Sequence, residues 1–395
     1  MGDNSFALGG PGRARQADIY IDAMIAGNEP EFPISFDELR AAAKEAMDPE
    51  AYDYVAGGAG QEETMANNDR AFDRWQIVPR MLRGIDERDL STKLFGEELS
   101  VPFMLAPIGA QDCVHEEGDL VSARAAADLS VPIVHSTQAS DPMEDVAEVL
   151  GDTPAWFQLY WSSERELTAS LVDRAEAAGY SAVVLTVDTL LLGWRERDLE
   201  RGYLPFLEGK GLGNYFSDPV FRDGLDAPPD EKPLLAARHF IDVYSNPALT
   251  WDDLDWLCEY TDLPVLLKGI LHPGDAALAV EHGVDGVVVS NHGGRQVDGS
   301  IGALEALPRV AERLDDTTVL FDSGIRTGAD VIKALALGAE AVLYGRPWLY
   351  GLGIGGEDGV RHVLDNFRAD LDLTVGLSGY TDVDDIDRSC LVEAP

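Results

Sequence analysis

From Val101 onward the chain repeats one unit: a short run of β-branched and aliphatic residues, a turn, then a longer stretch with helical spacing. The β-type runs fall at Val101–Ala106, Val131–His135, Ala155–Leu159, Ala182–Val187, Pro264–Lys268, Gly286–Ser290, Val319–Asp322 and Ala341–Tyr344. Helix-patterned stretches follow at 117–129, 142–150, 164–178, 251–260, 274–282, 302–313, 328–338 and 357–372. Eight such repeats predict an α/β chain closed into a (β/α)8 TIM barrel. Residues 189–250 break the rhythm after the fourth run. An insertion of that length is usually functional or disordered, and its aromatics (Trp194, Tyr203, Phe206, Tyr215, Phe216) predict a packed lid. Upstream, residues 1–35 are polar and mixed, with Gly9-Gly10-Pro11-Gly12 reading as a flexible start. Phe36 to Met47 has helical spacing behind a Ser35 N-cap. Residues 1–100 thus read as a helical and linking segment, and 101–395 as the barrel with its lid at 189–250.

Charge sets the next constraint. Lys and Arg total 30 against 71 Asp and Glu, a formal net charge of −41. The carboxylates are spread along the chain rather than gathered in a tail. Such a surface repels nucleic acid and anionic membrane, and it points to a high-salt cytoplasm in which self-repulsion is screened. An anionic substrate must therefore be drawn in by local positive charge. Cys113, Cys258 and Cys390 are too few and too scattered for a disulfide framework or a metal cluster, and no His/Cys/Glu spacing suggests a metal. No apolar run is long enough to span a membrane and no signal-peptide core is present, so a cytoplasmic location is expected.

In a barrel of this kind the site lies at the carboxyl ends of the strands. Those positions carry Pro107-Ile108-Gly109, Ser136, Gln158 with Tyr160, and Thr186 with Asp188. They continue with Lys268, Ser290-Asn-His292-Gly-Gly-Arg295, Asp322-Ser323-Gly324 and Gly345-Arg346. Each has a bland reading alone: a capped turn for His292, a rim lysine for Lys268, a helix N-cap for Asp188, tight turns for the last two. Together they put a hydrogen-bonding or charged group at nearly every strand end. His292 can exchange protons near neutral pH, and Asp188 can fix its tautomer. Arg195 and Arg295 place two guanidiniums over one pocket, suited to a carboxylate. Gly324, Arg326, Gly345 and Arg346 combine backbone amides with guanidiniums, as a phosphate site after the last two strands requires.

As a set, Tyr52-Asp-Tyr54 with Gly57-Gly-Ala59, Ala106-Pro107, Gln158-Leu-Tyr160, Thr186-Val-Asp188, Lys268-Gly269, Ser290-Asn-His-Gly-Gly-Arg-Gln296, Asp322-Ser-Gly324 and Gly345-Arg-Pro347 resembles the FMN-dependent α-hydroxy acid oxidase and dehydrogenase family. Leu192-Gly-Trp-Arg-Glu-Arg-Asp198, Tyr203-Leu-Pro-Phe206 and Asn214-Tyr-Phe-Ser-Asp-Pro219 are similar to its lactate 2-monooxygenase branch. The resemblance implies FMN as cofactor, a 2-hydroxy acid and O2 as small-molecule partners, and a homo-oligomer, in the family often a tetramer. It implies His292 as base with Asp188 behind it, Arg195 and Arg295 on the carboxylate, and Tyr52 and Tyr160 lining the substrate pocket. Pro107, Ile108, Gly109, Ser136, Gln158, Thr186, Lys268 and Ser290 are implied at the flavin ring, and Asp322, Ser323, Gly324, Arg326, Gly345 and Arg346 at ribityl and phosphate.

Two positions depart from the glycolate oxidase pattern: Gln138 where a tryptophan is usual, and Gly109 where alanine is usual. A glycine beside the flavin is expected to open space near the reacting atom. The implied activity is oxidation of L-lactate to acetate and CO2. Oxidase or dehydrogenase chemistry giving pyruvate is the alternative, and a silent binding barrel the remote one.

Overall fold

The structure, a computed structural model, describes residues 9–314 and 317–395. Its centre is a closed barrel of parallel strands: β1 (Phe103–Leu105), β2 (Ile133–Ser136), β3 (Ala155–Leu159), β4 (Val183–Thr186), β5 (Val265–Ile270), β6 (Gly286–Val289), β7 (Thr318–Asp322) and β8 (Ala341–Tyr344). All eight fall within or overlap the runs expected from sequence. Each strand pairs with its sequence neighbours, and β8 closes onto β1.

The interior is layered, and the layering positions the site. Met104, Val134, Trp156, Val184, Leu266, Val288, Leu320 and Leu343 form an apolar interior, all at most 3% exposed. Side chains alternate along a strand, so the residue two further on points the same way. Those residues are Ala106, Ser136, Gln158, Thr186, Lys268, Ser290, Asp322 and Gly345. Six of these eight are polar or charged, and they form the rim of the barrel at the carboxyl ends of the strands. At the other end the interior is closed by a hairpin of Thr92–Leu94 and Glu97–Leu99. Its turn residues Phe95 and Gly96 both have positive φ, 51° and 83°, as a tight two-residue hairpin turn requires. Leu94 and Leu99 insert among the interior residues, and Phe95 packs against Trp156. What reads in sequence as linking chain is thus partly a plug.

The start of the chain also differs from expectation. In place of a flexible lead, Gly10–Ala26 forms a helix, α1, against the C-terminal helix Arg346–Ser378. The expected helix over 357–372 lies in the second half of that C-terminal element, after an interruption at Gly355 and Gly356. Helix α2 (Phe36–Ala46) has the expected cap, the Ser35 hydroxyl accepting from the Glu38 N–H. Helix α3 (Pro49–Ala56) follows and carries Tyr52 and Tyr54, both buried.

The insertion folds as a packed lid of short helices, including Glu196–Arg201, Gly213–Ser217, Pro219–Asp223 and Pro233–Val243. Tyr215 sits at its centre, with ring centroids 4.7 Å from Phe240 and 5.6 Å from Phe221. Trp194, expected in that packing, is 71% exposed. Asn214 anchors the lid to the barrel: its amide donates to the Ser136 and Thr137 carbonyls and accepts from the Met143 N–H.

One buried ion pair joins the N-terminal segment to the last helix. Arg88 Nε donates to Asp372 Oδ1 at 2.8 Å, Arg88 Nη2 to Oδ2 at 2.6 Å, and the Gly12 N–H to Oδ2 at 2.9 Å. Asp372→Ala would strand a buried guanidinium and an amide together. The expected loss is about 3–5 kcal/mol of stability, measured by denaturant unfolding, with Asp37→Ala, at an exposed pair, within about 1 kcal/mol of wild type.

Candidate active site

His292 sits on a turn whose backbone is unusual. His292, Gly293 and Gly294 have φ of 57°, 63° and 78°, three consecutive left-handed residues, the first of them not a glycine. Such a conformation persists only where its surroundings enforce it. Here buried side chains hold each amide: Ser290 Oγ accepts from the His292 N–H at 3.0 Å and Ser323 Oγ from the Gly293 N–H at 2.9 Å. Asn291 Oδ1 accepts from the Gly294 N–H at 3.1 Å. Ser323 therefore shapes the turn from behind rather than facing the cleft.

His292 Nδ1 lies 2.9 Å from Asp188 Oδ1, and Thr189 Oγ donates to the same carboxylate oxygen at 2.8 Å. An ionised Asp188 accepts the Nδ1 proton, which leaves Nε2 as the basic nitrogen. Burial pushes the Asp188 carboxyl up, but the adjoining His292, its hydrogen bond and Lys268 carry it below its ordinary value. Burial pushes the imidazole down, more than Asp188 raises it, with Lys268 and Arg195 adding to the fall. His292 is thus neutral at neutral pH and able to accept a proton.

On the rim, Lys268 Nζ lies 2.9 Å from Asp322 Oδ2 and 3.2 Å from Ser290 Oγ. Burial lowers the lysine, yet Asp322 and Asp188 outweigh it and hold the ammonium charged. Across the cleft stand the two arginines. Arg195, 5% exposed, donates from Nε to the Arg295 carbonyl and from Nη2 to Gln296 Oε1. Burial, then the neighbouring Arg295 charge, pushes Arg195 down to about 10, so it stays cationic. Gly193 makes this approach possible, since a Cβ there would lie 2.4 Å from the Arg295 carbonyl oxygen. Arg295 donates from Nη1 to the Tyr54 and Gly57 carbonyls and lies over the Tyr54 ring, 5.0 Å from its centroid. Arg346 donates to the Val55, Gly57 and Gly293 carbonyls, so two arginines cap the C-terminus of α3.

These groups line one cleft of about 1020 Å³ of non-atom space, partly open to solvent. Its wall includes Pro107, Ile108, Gly109, Tyr160, Arg195, Lys268, His292, Arg295, Asp322, Gly345 and Arg346, all expected from sequence. Tyr52 is a correction. It stacks on Tyr350 away from the cleft, and the wall position belongs to Tyr54, two residues on. Arg326 lies over the Phe36 ring, 4.5 Å from its centroid, and Arg326, Ser323 and Gly324 are not among the residues that line the cleft. Gly109 is a second correction in its reason, though not its place. A Cβ there would lie 2.7 Å from the Gln138 carbonyl oxygen, so the missing methyl makes room for Gln138 rather than for open space. Thr189, Leu192, Leu204, Phe206, Ile241 and Tyr244 also line the cleft and were not singled out as wall residues from the sequence. Thr189 was signalled by its place beside Asp188; Phe206 was expected in the lid packing but not in the wall.

FMN fits this rim. Gln158 Nε2 and Thr186 Oγ1 are fully buried on the polar layer with no hydrogen bond from the protein, whereas buried polar atoms are ordinarily paired. Gln158 Oε1 is engaged by Ser136 Oγ and the Thr137 N–H, so its amide N–H groups are what remain for a ligand. A buried ammonium beside them suits a heterocycle that takes on negative charge.

Comparison with known proteins agrees. Residues 43–393 match the family model described as FMN-dependent dehydrogenase. The chain is 43% identical to an L-lactate oxidase of Lysinibacillus sphaericus (strain C3-41), over 92% of this chain and 93% of that protein. It is 42% identical to an FMN-dependent alpha-hydroxy acid dehydrogenase of Penicillium citrinum, over 95% and 94%. Among solved structures, mandelate oxidase with (S)-4-hydroxymandelic acid superposes with a TM-score of 0.81 at 37% identity, covering 92% of this chain and 99% of that one. The polar rim, the His292–Asp188 pair and these likenesses agree: the chain belongs to the FMN-dependent dehydrogenase family and is an FMN enzyme that oxidises L-2-hydroxy acids.

Proposed function

We propose that the substrate is L-lactate or a 2-hydroxy acid of similar size, oxidised with O2, and that the keto acid is held under the lid and decarboxylated there. The observation carrying this reading is the pairing of Arg195 and Arg295 with an apolar cover of Leu192, Leu204, Phe206, Ile241 and Tyr244. In this reading the arginines bind the carboxylate and the apolar residues take a short aliphatic group. Among the described residues, Arg195 Nη1 and Arg295 Nη2 make no hydrogen bond within the protein, which leaves a donor on each for the substrate.

In this reading His292 Nε2 takes the proton of the substrate hydroxyl, and Asp188 stabilises the imidazolium that forms. Arg195 and Arg295 orient the carboxylate so that the α-carbon faces the rim, with Tyr54 and Tyr160 beside it. Ser136, Gln158, Thr186, Lys268 and Ser290, with the backbone of Pro107–Gly109, would hold the flavin ring. Asp322, Gly324, Arg326, Gly345 and Arg346 would hold ribityl and phosphate. Bound FMN supplies the acceptor for the α-hydrogen as hydride, and O2 reoxidises it to give hydrogen peroxide. If peroxide stays beside pyruvate, the two react to acetate, CO2 and water. The sum is lactate plus O2 to acetate, CO2 and water.

A second reading, a simple oxidase releasing pyruvate and peroxide, is favoured by the packing of Gly109 on Gln138, which leaves no extra room at that point. Product analysis separates them. With L-lactate under air, in the molar salt that the acidic surface calls for, acetate and CO2 are expected at about one per O2 consumed. Stoichiometric pyruvate and peroxide would move the assignment to the oxidase, and a protein that binds no FMN would refute both.

Two further outcomes test the residue roles. Only neutral His292 accepts a proton, and burial holds its pKa below the ordinary 6.5. The kcat/KM profile should therefore be level just above 6.5 and fall only at lower pH; His292→Gln should lower kcat/KM by about 10²–10⁴. A profile still rising above pH 7 would contradict a neutral resting histidine. Tyr54→Phe should raise KM for the hydroxy acid by about tenfold, the value of one lost hydrogen bond, while Tyr52→Phe leaves KM within about twofold. The reverse order in steady-state kinetics would restore Tyr52 to the pocket.

A further inference from the structure

A second group of buried polar side chains lies behind β1 and β2, outside the machinery described above. Its centre is Asp119, near the start of the helix Gly118–Asp128 and 2% exposed. Asp119 Oδ1 accepts from Gln111 Nε2 at 2.7 Å, and Oδ2 accepts from the Ser140 N–H at 2.7 Å. These partners lie on different loops. Gln111 is on the loop after β1, and its Nε2 also donates to the Ile108 carbonyl at 3.3 Å. Ser140 is on the loop after β2, two residues beyond Gln138, and its hydroxyl accepts from the Asp112 N–H at 3.0 Å. The loops meet again where the Ala110 N–H donates to the Gln138 carbonyl, beside Gly109.

We infer that Asp119 is a positioning residue: one buried carboxyl group clasps the loop bearing Pro107–Gly109 to the loop bearing Gln138, and so sets the flavin cleft on that side. The inference rests on the placement of Pro107–Gly109 against FMN proposed above. The Asp119 side chain does not line the cleft and acts through Gln111 and Ser140.

The electrostatics of the cluster make a clean substitution available. Burial pushes Asp119 up to about 8, opposed by the Ser140 N–H and aided by the charges of Asp141 and Asp112. The other titratable groups facing it are His135, 3.9 Å away on β2 and pushed down to about 3 by burial, and Tyr180, raised by burial, whose hydroxyl meets His135 Nδ1 at 2.6 Å. Glu144 adds its charge to both of these from the next helix. The carboxyl is thereby pushed toward its neutral form, so Asp119→Asn removes less charge than at an ordinary aspartate. It chiefly changes the hydrogen-bonding pattern: both carboxyl oxygens accept from N–H donors, and an amide NH2 must face either the Ser140 N–H or Gln111 Nε2, donor against donor. Turning the Gln111 amide over relieves the second conflict only by giving up its bond to the Ile108 carbonyl. Either way one loop is released.

The test uses holoenzyme at pH 7, comparing wild type, Asp119→Asn and Gln111→Met. FMN release on dilution is followed by flavin fluorescence, amide hydrogen exchange by mass spectrometry, and KM for L-lactate with excess FMN. The expected result for Asp119→Asn is FMN release about tenfold faster, with faster exchange in 106–113 or 136–143. Exchange in β5 should be unchanged and KM should stay within about twofold, a tenfold rate change being the scale of one lost hydrogen bond. Wild-type release with wild-type exchange in both loops would overturn the inference. Loosened loops with unchanged release would overturn the link to the cofactor and, with it, the placement of Pro107–Gly109. Should Asp119→Asn exchange faster throughout, Gln111→Met decides, because it keeps the carboxyl and its bond from the Ser140 N–H while removing the Gln111 bonds to Asp119, the Ile108 carbonyl and Ser122. Faster release in that variant supports the clasp, and unchanged release refutes it.

Discussion

A buried ammonium governs the chemistry of this barrel. Lys268 is 4% exposed, and taking such a charge out of water costs several kcal/mol unless partners offset it. Asp322 at 2.9 Å and Ser290 at 3.2 Å supply the offset. Those partners are not idle elsewhere. The Ser290 hydroxyl also accepts from the His292 N–H, so the pair that stabilises the lysine pins the turn that aims the histidine. The lysine charge in turn lowers both His292 and Asp188, which favours the neutral base beside an ionised carboxylate. One interaction thereby reaches the polar rim, the His292 turn and the proposed proton acceptor.

Summed over the cleft, the charges explain how so acidic a protein binds an anion. Lys268 with Asp322 is close to neutral, and Asp188 is ionised beside a neutral His292. Arg195, Arg295 and Arg346 add three positive charges in low-dielectric surroundings. The local balance is positive, inside a chain of net charge −41. Surface carboxylates act through water and salt, which screen them over about a nanometre or less. The arginines act at contact distance and largely out of solvent. Burial lowers Arg195 and Arg346, but only to about 10, so neither loses its charge near neutral pH.

The sequence showed the barrel because buried parallel strands are written as continuous β-branched runs, and it showed the rim because those runs end abruptly in polar residues. His292, Asp188, Lys268 and the arginines were legible for that reason. Tyr52 and Tyr54 were not separable. Two residues apart on a helix they lie about 200° apart around its axis, so which one faces the cleft depends on how α3 docks. That docking is set by Arg295 and Arg346 binding its last carbonyls, a long-range contact with no local trace. Helix α1 was hidden because Gly12 is its only buried residue, leaving no apolar stripe to read. The plugging hairpin was hidden because its strands are three residues long and carry Lys93 and Glu98 on their outer side.

Gly109 shows most sharply how a correct residue can carry a wrong reason. Glycine next to a cofactor suggests space for the reacting atoms, yet here the space is taken by the Gln138 backbone, 2.7 Å from where a methyl would sit. The two positions that depart from the glycolate oxidase pattern are therefore in contact and form one structural change. A residue larger than glycine at 109 would press on the loop after β2. That loop is tied to Asp119 through Ser140 and to the lid through Asn214. The departure reaches the substrate side by way of the lid's anchor rather than by a gap beside the ring. Lid and the Pro107–Gly109 loop are then coupled parts, both held to the end of β2.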